Sequence, residues 1–145
     1  REDFRSCARE IYPVDGARRL VDGAKRKGYV PVILSADYAH AAGAVARPLG
    51  VERYFGNVPF FREDKHSGRV RDPIIIGGTK AQIARKLIEE IQPKKIAAIT
   101  DDLPDVPMLE LANAGKGIAC APRDKRLSGF AAHTVASPEE ALEFL

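Results

Sequence analysis

Short apolar runs alternate with stretches of helical periodicity along most of this chain of 145 residues. Such alternation is typical of β–α units that build a parallel sheet with helices on its faces. We therefore predict an α/β fold whose strands are Val30–Leu34, Ile96–Ile99, Gly117–Cys120 and His133–Val135. Because Pro31 cannot donate a ladder hydrogen bond, the first of these strands is weakest at its beginning.

Capping signals mark where the helices between these strands should begin. Asp15 is placed to cap a helix that Gly28 would end, since glycine favours the position after a helix C-terminus. Thr79 with Gln82 forms a capping box for a second helix. Ser137, followed by proline, starts the last helix. The helices are thus expected to alternate with the strands.

A turn-rich segment, residues 63–67, separates two short strand-like runs, Asn57–Arg62 and Gly68–Arg71. Two such runs around a short turn are typical of a β-hairpin. We therefore predict a small hairpin inserted into the α/β fold.

Composition narrows the class of protein. Hydrophobic residues make up 45% and charged residues 30% of the chain, which is ordinary for a globular domain. The uncharged stretches are too short to span a bilayer, so no membrane association is expected. The net charge of +3 comes from interspersed charges, so no nucleic-acid partner is expected. Two cysteines favour a reducing, cytoplasmic location, and fourteen arginines with two asparagines favour a thermophilic source.

Acidic and hydroxyl side chains follow two of the predicted strands. Ser35 comes just after Val30–Leu34, and Asp101, Asp102 and Asp105 come after Ile96–Ile99. Ligands of parallel α/β sheets bind at these strand ends. Clustered carboxylates repel one another unless a cation compensates them, and Mg²⁺ prefers oxygen ligands. The alternative is that Asp102 or Asp105 only caps the following helix.

Lys80 lies in the first turn of the helix predicted after Thr79. The helix dipole disfavours a cation there, and a bound anion would reverse that preference. The preceding Gly77 and Gly78 permit a close backbone approach, which a phosphate could use. From its position alone, the interpretation of Lys80 as a solvated surface lysine is nevertheless favoured over anion binding.

Residues 32–37, Lys80 and residues 98–109, in this order and spacing, resemble motifs II, III and IV of the haloacid dehalogenase (HAD) superfamily. The branch they resemble is the phosphoserine phosphatase-like one. The resemblance implies a Rossmann-like domain, a parallel sheet flanked by helices with a small hairpin insertion. It also implies a Mg²⁺-dependent hydrolase of a small phosphorylated substrate.

The resemblance assigns a role to each candidate residue. Ser35 would hydrogen-bond a phosphoryl oxygen, and Lys80 would neutralise charge on the phosphoryl group and the attacking carboxylate. Asp105 would orient Lys80 or the metal shell. Asp101 would bind Mg²⁺; Asp102 is a second candidate ligand from the cluster of carboxylates alone. The fourth motif departs from the family pattern, because Thr100 replaces a glycine, Asp102 replaces its second glycine, and Pro104 replaces an asparagine.

The nucleophile motif of that family, Asp-x-Asp after an apolar strand, does not occur in residues 1–145. We therefore expect a C-terminal part of a longer hydrolase, with residues 1–145 forming one HAD-like core domain and residues 1–14 the tail of a cap or a linker. A missing N-terminal segment, a second chain, or direct pairing of the flanking strands would then complete the sheet.

Two other functions stay open at this point. One is a non-catalytic domain that binds a phosphorylated ligand or a partner protein. The other is a different HAD chemistry on the same residues, such as hydrolysis of a phosphosugar or a nucleotide. The sequence preceding Arg1 would separate the first of these from catalysis, because an Asp-x-Asp motif there would supply the nucleophile.

Overall fold

Parallel strand pairing dominates the computed structural model, which describes residues 10–145 of the chain. Three strand pairs are parallel and one, a hairpin, is antiparallel. The elements in chain order are α1 Ala17–Arg26, β1 Val32–Tyr38, α2 Ala39–Ala46, β2 Arg53–Asn57, β3 Pro59–Arg62, β4 Lys65–Val70, α3 Gly78–Ile91, β5 Ala98–Thr100, α4 Val106–Leu109, β6 Gly117–Cys120, β7 His133–Val135 and α5 Pro138–Ala141. The predicted α/β fold with a small hairpin is confirmed.

The described residues divide into two compact units. The first contains residues 10–14 and 31–75, and the second contains Asp15–Val30 and Ile76–Leu145. Residues 1–9, which carry part of the expected cap tail or linker, lie outside the described residues. The expectation of one core domain over residues 1–145 stays a prediction.

In the first unit β1 pairs in parallel with β2, α2 packs on both strands, and β3 pairs with β4 as the hairpin. The regular register of β1 runs from Val32 to Leu34, and its next pairing is Tyr38 with Asn57 after an irregularity. Pro31 stands outside the strand, as its missing N–H predicts. Ser35 was expected past the end of this strand but lies within β1, in the irregular stretch where regular pairing has stopped.

Strand β2 was not predicted. Its apolar side chains, Tyr54 and Phe55, lie between Arg53 and Gly56, so the run is too short and too mixed to read as a strand by itself. It is a strand because its backbone pairs with β1, a contact that no local pattern contains.

In the second unit β5, β6 and β7 form a parallel sheet in that order. The apolar β6 is at its centre, with Ile118 and Ala119 fully buried. Leu127 and Leu109 pack near Ala119, and Val135 and Ala141 pack near Ile118. The carboxyl end of β5 is therefore held by a well-packed central strand.

The helix caps differ from the sequence prediction at two of three places. The residue before α1 is Gly16, in the left-handed region at φ 81°, and Asp15 does not cap. The residue before α3 is Gly77, and Thr79 lies inside the helix without a capping hydrogen bond. Glycine with positive φ turns the chain into both helices at a position where a side-chain cap was expected. The Ser137 cap of α5 and the left-handed Gly28 after α1 are confirmed.

The longest helix in residues 10–145 is α3, with 14 residues. No helix of the described chain has both the length and the apolar character needed to cross a membrane.

Candidate active site

Lys80 is a buried cation in the first turn of α3. Only 7% of the residue is exposed, and its Nζ lies 2.7 Å from Oδ2 of Asp105. The interpretation as a solvated surface lysine is therefore wrong. A cation next to the positive end of a helix dipole needs a compensating anion, and Asp105, from the loop after β5, supplies one.

Asp105 is the acceptor at the centre of a small buried network. Its Oδ2 accepts hydrogen bonds from Lys80 Nζ and from Thr100 Oγ1, the latter at 2.8 Å. Its Oδ1 is buried without a hydrogen-bond partner among the described residues. A buried carboxylate oxygen with no donor is costly, so this atom marks a place where a further donor or a cation would be stabilising.

The loop after β5 is shaped by its own polar contacts. Thr100 Oγ1 accepts from the amide of Asp102, and the carbonyl of Asp102 accepts from the amide of Asp105. The loop packs tightly on the start of α3, because a Cβ on Gly77 would lie 2.9 Å from the carbonyl oxygen of Pro104. The group that closely approaches the backbone at Gly77 is thus the loop after β5. It places Asp105 over Lys80.

Neither aspartate caps a helix with its side chain. Asp102 precedes a 3₁₀ turn and Asp105 precedes α4, and neither makes a side-chain capping hydrogen bond. The capping alternative is therefore wrong for both residues. The carboxylate of Asp105 binds Lys80 and Thr100 instead.

Asp101 is the exposed carboxylate of the loop. Its side chain is 47% exposed, and Oδ2 lies 2.9 Å from Nε of Arg123. The carbonyl of Asp101 also accepts from the amide of Arg123 at 3.0 Å. Arg123, in the loop after β6, was not among the candidates from sequence. Its only local signal is that it follows a strand end of the same sheet.

Ser35 belongs to the first unit. Its Oγ accepts from the amide of Asp37 at 3.1 Å, which leaves its hydroxyl hydrogen available to a ligand. The neighbouring Ala36 carbonyl accepts from Nδ2 of the buried Asn57, which also bonds both backbone groups of Ile75. Asn57 was missed from sequence, although it fixes the segment that carries Ser35.

The oxygen ligands available for a divalent cation in the second unit are few. Asp101 and Asp102 supply carboxylates of the type that Mg²⁺ prefers, but Oδ2 of Asp101 already pairs with Arg123. Residues 10–145 contain no group of three or more histidine, cysteine or acidic side chains that could hold a metal. The described residues therefore supply only some of the ligands that a Mg²⁺ ion needs.

Electrostatics near this loop also act on Cys120, the last residue of β6. Burial raises the pKa of its thiol, and the carboxylates of Asp101 and Glu140 raise it further. The thiolate is disfavoured, so Cys120 is unsuited to act as a nucleophile here.

Residues 2–113 match the sequence model of the family described as haloacid dehalogenase-like hydrolase. A phosphoserine phosphatase of Archaeoglobus fulgidus is 31% identical over 107 residues, and one of Methanocaldococcus jannaschii is 26% identical over 113 residues. The structure of a phosphoserine phosphatase in its apo form superposes with a TM-score of 0.81 at 22% identity, covering 92% of this chain and 67% of that one.

The sequence matches cover most of this chain but much less of the relatives. They include 72% and 77% of this chain, against 30% of the Archaeoglobus protein and 54% of the Methanocaldococcus protein. The matched part of the chain therefore spans from 30% to about half of the length of these relatives.

Proposed function

The chain belongs to the haloacid dehalogenase-like hydrolases, and from that premise we propose that it carries the phosphate- and metal-binding half of a Mg²⁺-dependent phosphomonoester hydrolase. The similar phosphoserine phosphatases make phosphoserine the first substrate to test. The membership confirms the family resemblance of the three motifs; the assignment of roles to residues is part of the proposal.

One observation carries the proposal: Lys80 is buried near the N-terminus of α3 and pairs with Asp105, which in turn accepts a hydrogen bond from Thr100 at the carboxyl end of β5. Phosphoryl transfer depends on positioned cations near developing negative charge. A lysine fixed by a carboxylate that is itself fixed by a hydroxyl cannot drift when an anion arrives. Asp105 is thus a positioning residue, and Lys80 is the residue that would contact the phosphoryl group.

Ser35, in the first unit, and Asp101, in the second, have the remaining proposed roles. The hydroxyl of Ser35, free to donate, would bond a phosphoryl oxygen. Asp101 would be a Mg²⁺ ligand, with Asp102 as a second ligand, and the missing ligands would come from outside the described residues. Bound Mg²⁺ would polarise the phosphoryl oxygens. The attacking carboxylate of this chemistry, which forms an aspartyl-phosphate that water then hydrolyses, has no Asp-x-Asp motif to supply it in residues 1–145.

The metal part of the proposal can be tested with Mn²⁺, whose paramagnetism broadens nearby NMR signals even when binding is weak. We expect Mn²⁺ to broaden the amide signals of residues 100–103, 105, 123 and 124. The Asp101→Asn variant should lose this broadening, because a divalent cation needs the carboxylate charge. Equal broadening in both proteins would remove Asp101 from the metal site.

The phosphate part of the proposal rests on Lys80. We expect inorganic phosphate, followed by ³¹P NMR titration, to bind the wild-type chain and to lose most of its affinity in Lys80→Met, because the ammonium is removed. Circular dichroism establishes whether that variant is folded, and Lys80→Arg gives a second variant that keeps the charge. Phosphate binding that is unchanged in both variants would contradict the proposal.

A non-catalytic domain that binds a phosphorylated ligand is the second candidate function. It is favoured by one observation, the absence of Asp-x-Asp from residues 1–145. This function and the first both predict phosphate binding. They differ once the residues encoded before Arg1 are known, since an Asp-x-Asp motif there supports catalysis.

A further inference from the structure

The turn after β6 has a strained backbone. Ala121 adopts φ 44°, in the left-handed region that favours glycine, and it is followed by Pro122. A residue before proline is pushed towards extended backbone instead. Strain of this kind persists where the surrounding structure holds it, and it is concentrated at functional sites.

Two backbone contacts hold this turn, and the second of them fixes Arg123. The amide of Ala121 donates to the carbonyl of Val135 at 2.8 Å, and the amide of Arg123 donates to the carbonyl of Asp101 at 3.0 Å. The side chain of Arg123 then reaches the same residue, with Nε 2.9 Å from Oδ2. The strained turn therefore brings an arginine to the exposed carboxylate of the loop after β5.

The guanidinium of Arg123 has donors left over. Among residues 10–145 its side chain has one partner, Asp101, which it meets through Nε. Arg126 contrasts with it: that side chain is equally exposed, but its Nε and Nη2 both bond the carboxylate of Asp124 in its own turn. Arg123 thus keeps the planar Nη fork that suits phosphate oxygens.

Charge at the loop also favours a further cation. Asp101, Asp102 and Asp105 are three carboxylates, and Lys80 pairs with one of them, Asp105. Such a loop repels a phosphate dianion unless more positive charge is added. Pro104 has no side-chain donor to contribute. An arginine fixed beside Asp101 supplies both the charge and the donors.

We propose that Arg123 is an anion-binding residue of this site, whose Nη atoms donate to the phosphoryl oxygens of a bound phosphomonoester. This proposal rests on the proposed function, because it adds a contact to the same site. Arg123 would act together with Lys80.

The test is a ³¹P NMR titration of inorganic phosphate in metal-free buffer, with Arg123→Gln and the matched control Arg126→Gln. We expect Arg123→Gln to weaken phosphate binding about tenfold or more, because a charge-assisted hydrogen bond is lost. Arg126→Gln should bind as the wild type does. Equal affinity in the two variants would overturn the role of Arg123.

Asp101→Asn separates direct contact from an indirect effect in the same titration. If Arg123 contacts phosphate, this variant binds phosphate more tightly, because a repelling carboxylate is removed and the guanidinium is kept. If phosphate binding depends on the intact Arg123–Asp101 ion pair and not on a contact made by the guanidinium, then Asp101→Asn weakens binding as Arg123→Gln does, and the proposal fails. Absence of phosphate binding by the wild type would overturn the proposed function, whereas binding that depends on Lys80 and not on Arg123 would overturn this inference alone.

Discussion

Lys80 and Asp105 form a charged pair from which water is largely excluded, with side chains 9% and 4% exposed. Removing one partner leaves a buried charge without compensation, which costs about 3–5 kcal/mol. We expect Lys80→Met and Asp105→Asn each to lower the free energy of unfolding by about that amount. The double variant should lose less than the two single losses together, because no uncompensated charge is left.

Urea unfolding of the four proteins measures this coupling. The expected interaction free energy is about 1–3 kcal/mol, the range found for residues in direct contact. Strictly additive losses would mean that the two side chains are paired only weakly. Thr100→Val is a useful companion variant, since it removes one hydrogen bond to Asp105 and leaves the ion pair in place.

Cys120 offers a pH-dependent measurement at the same loop. Burial, and then the nearby carboxylates of Asp101 and Glu140, raise the pKa of its thiol. Alkylation needs the thiolate, so the rate should rise only at a higher pH than for an ordinary cysteine. Asp101→Asn should move the midpoint of the pH–rate curve downward, because one of the charges that raise the pKa is gone.

Iodoacetamide labelling followed by mass spectrometry gives this curve in a Cys7→Ser background, where Cys120 is the single cysteine left in the sequence. Glu110→Gln serves as a control, because Glu110 does not contribute to the raised pKa of Cys120. A midpoint that is the same with and without the Asp101 carboxylate would contradict the electrostatic account.

The limit of sequence reasoning at the residue scale is clear at Lys80. Its place in a first helical turn gave no reason to expect burial, and the partner that makes burial tolerable is 25 residues away. Only the order and spacing of three motifs, taken as a family resemblance, indicated that the two residues act together. Asn57 carried no such signal, because its buried amide is defined by partners that are distant in sequence, Ala36 and Ile75, and not by a periodic pattern.

At the scale of elements, apolar runs with strong local patterns were predicted well. Strands β6 and β7 match their predicted bounds, and α5 begins at its predicted Ser137 cap. Strand β2 was missed because pairing with β1 decides its conformation. The starts of α1 and α3 were misassigned because left-handed or unusual glycine backbone replaced side-chain caps.

Gly56 in β2 shows how closely elements approach in the first unit. A Cβ there would lie 2.7 Å from the backbone nitrogen of Ala39 and 2.9 Å from the carbonyl oxygen of Asp37. Backbone cannot move aside as a flexible side chain can, so overpacking is expected to cost about 1–3 kcal/mol. We expect Gly56→Ala to lower the free energy of unfolding by that amount in urea titrations.

Gly129→Ala is the control for this substitution. Nothing lies within 4 Å of a Cβ built on Gly129, so its effect should be within about 0.5 kcal/mol of zero. If both variants were equally stable, the close approach of β2 to the β1–α2 connection would be wrong.

At the scale of the whole molecule, each unit has a strand with a hydrogen-bonded neighbour on only one side among the described residues. β1 forms a two-stranded sheet with β2, and β5 is an edge strand of the β5–β6–β7 sheet. An unpaired edge leaves N–H and C=O groups that cost about 1–3 kcal/mol each if they are buried without a partner. The completion of the sheet by an N-terminal segment or a second chain stays a prediction.

Phosphatase activity requires a nucleophile in addition to the groups that bind phosphate and metal. The described site holds a positioned lysine and carboxylates, but residues 1–145 contain no Asp-x-Asp motif to attack phosphorus. Positioning and charge without a nucleophile do not form the covalent intermediate of this chemistry. We therefore expect the chain of residues 1–145 to hydrolyse p-nitrophenyl phosphate, in Mg²⁺ buffer, no faster than Lys80→Met purified in parallel, which controls for contaminating phosphatases. If the wild type turns over substrate faster than that control, and Asp101→Asn abolishes the difference, another residue of this chain attacks the phosphoryl group. The half-site interpretation would then be wrong.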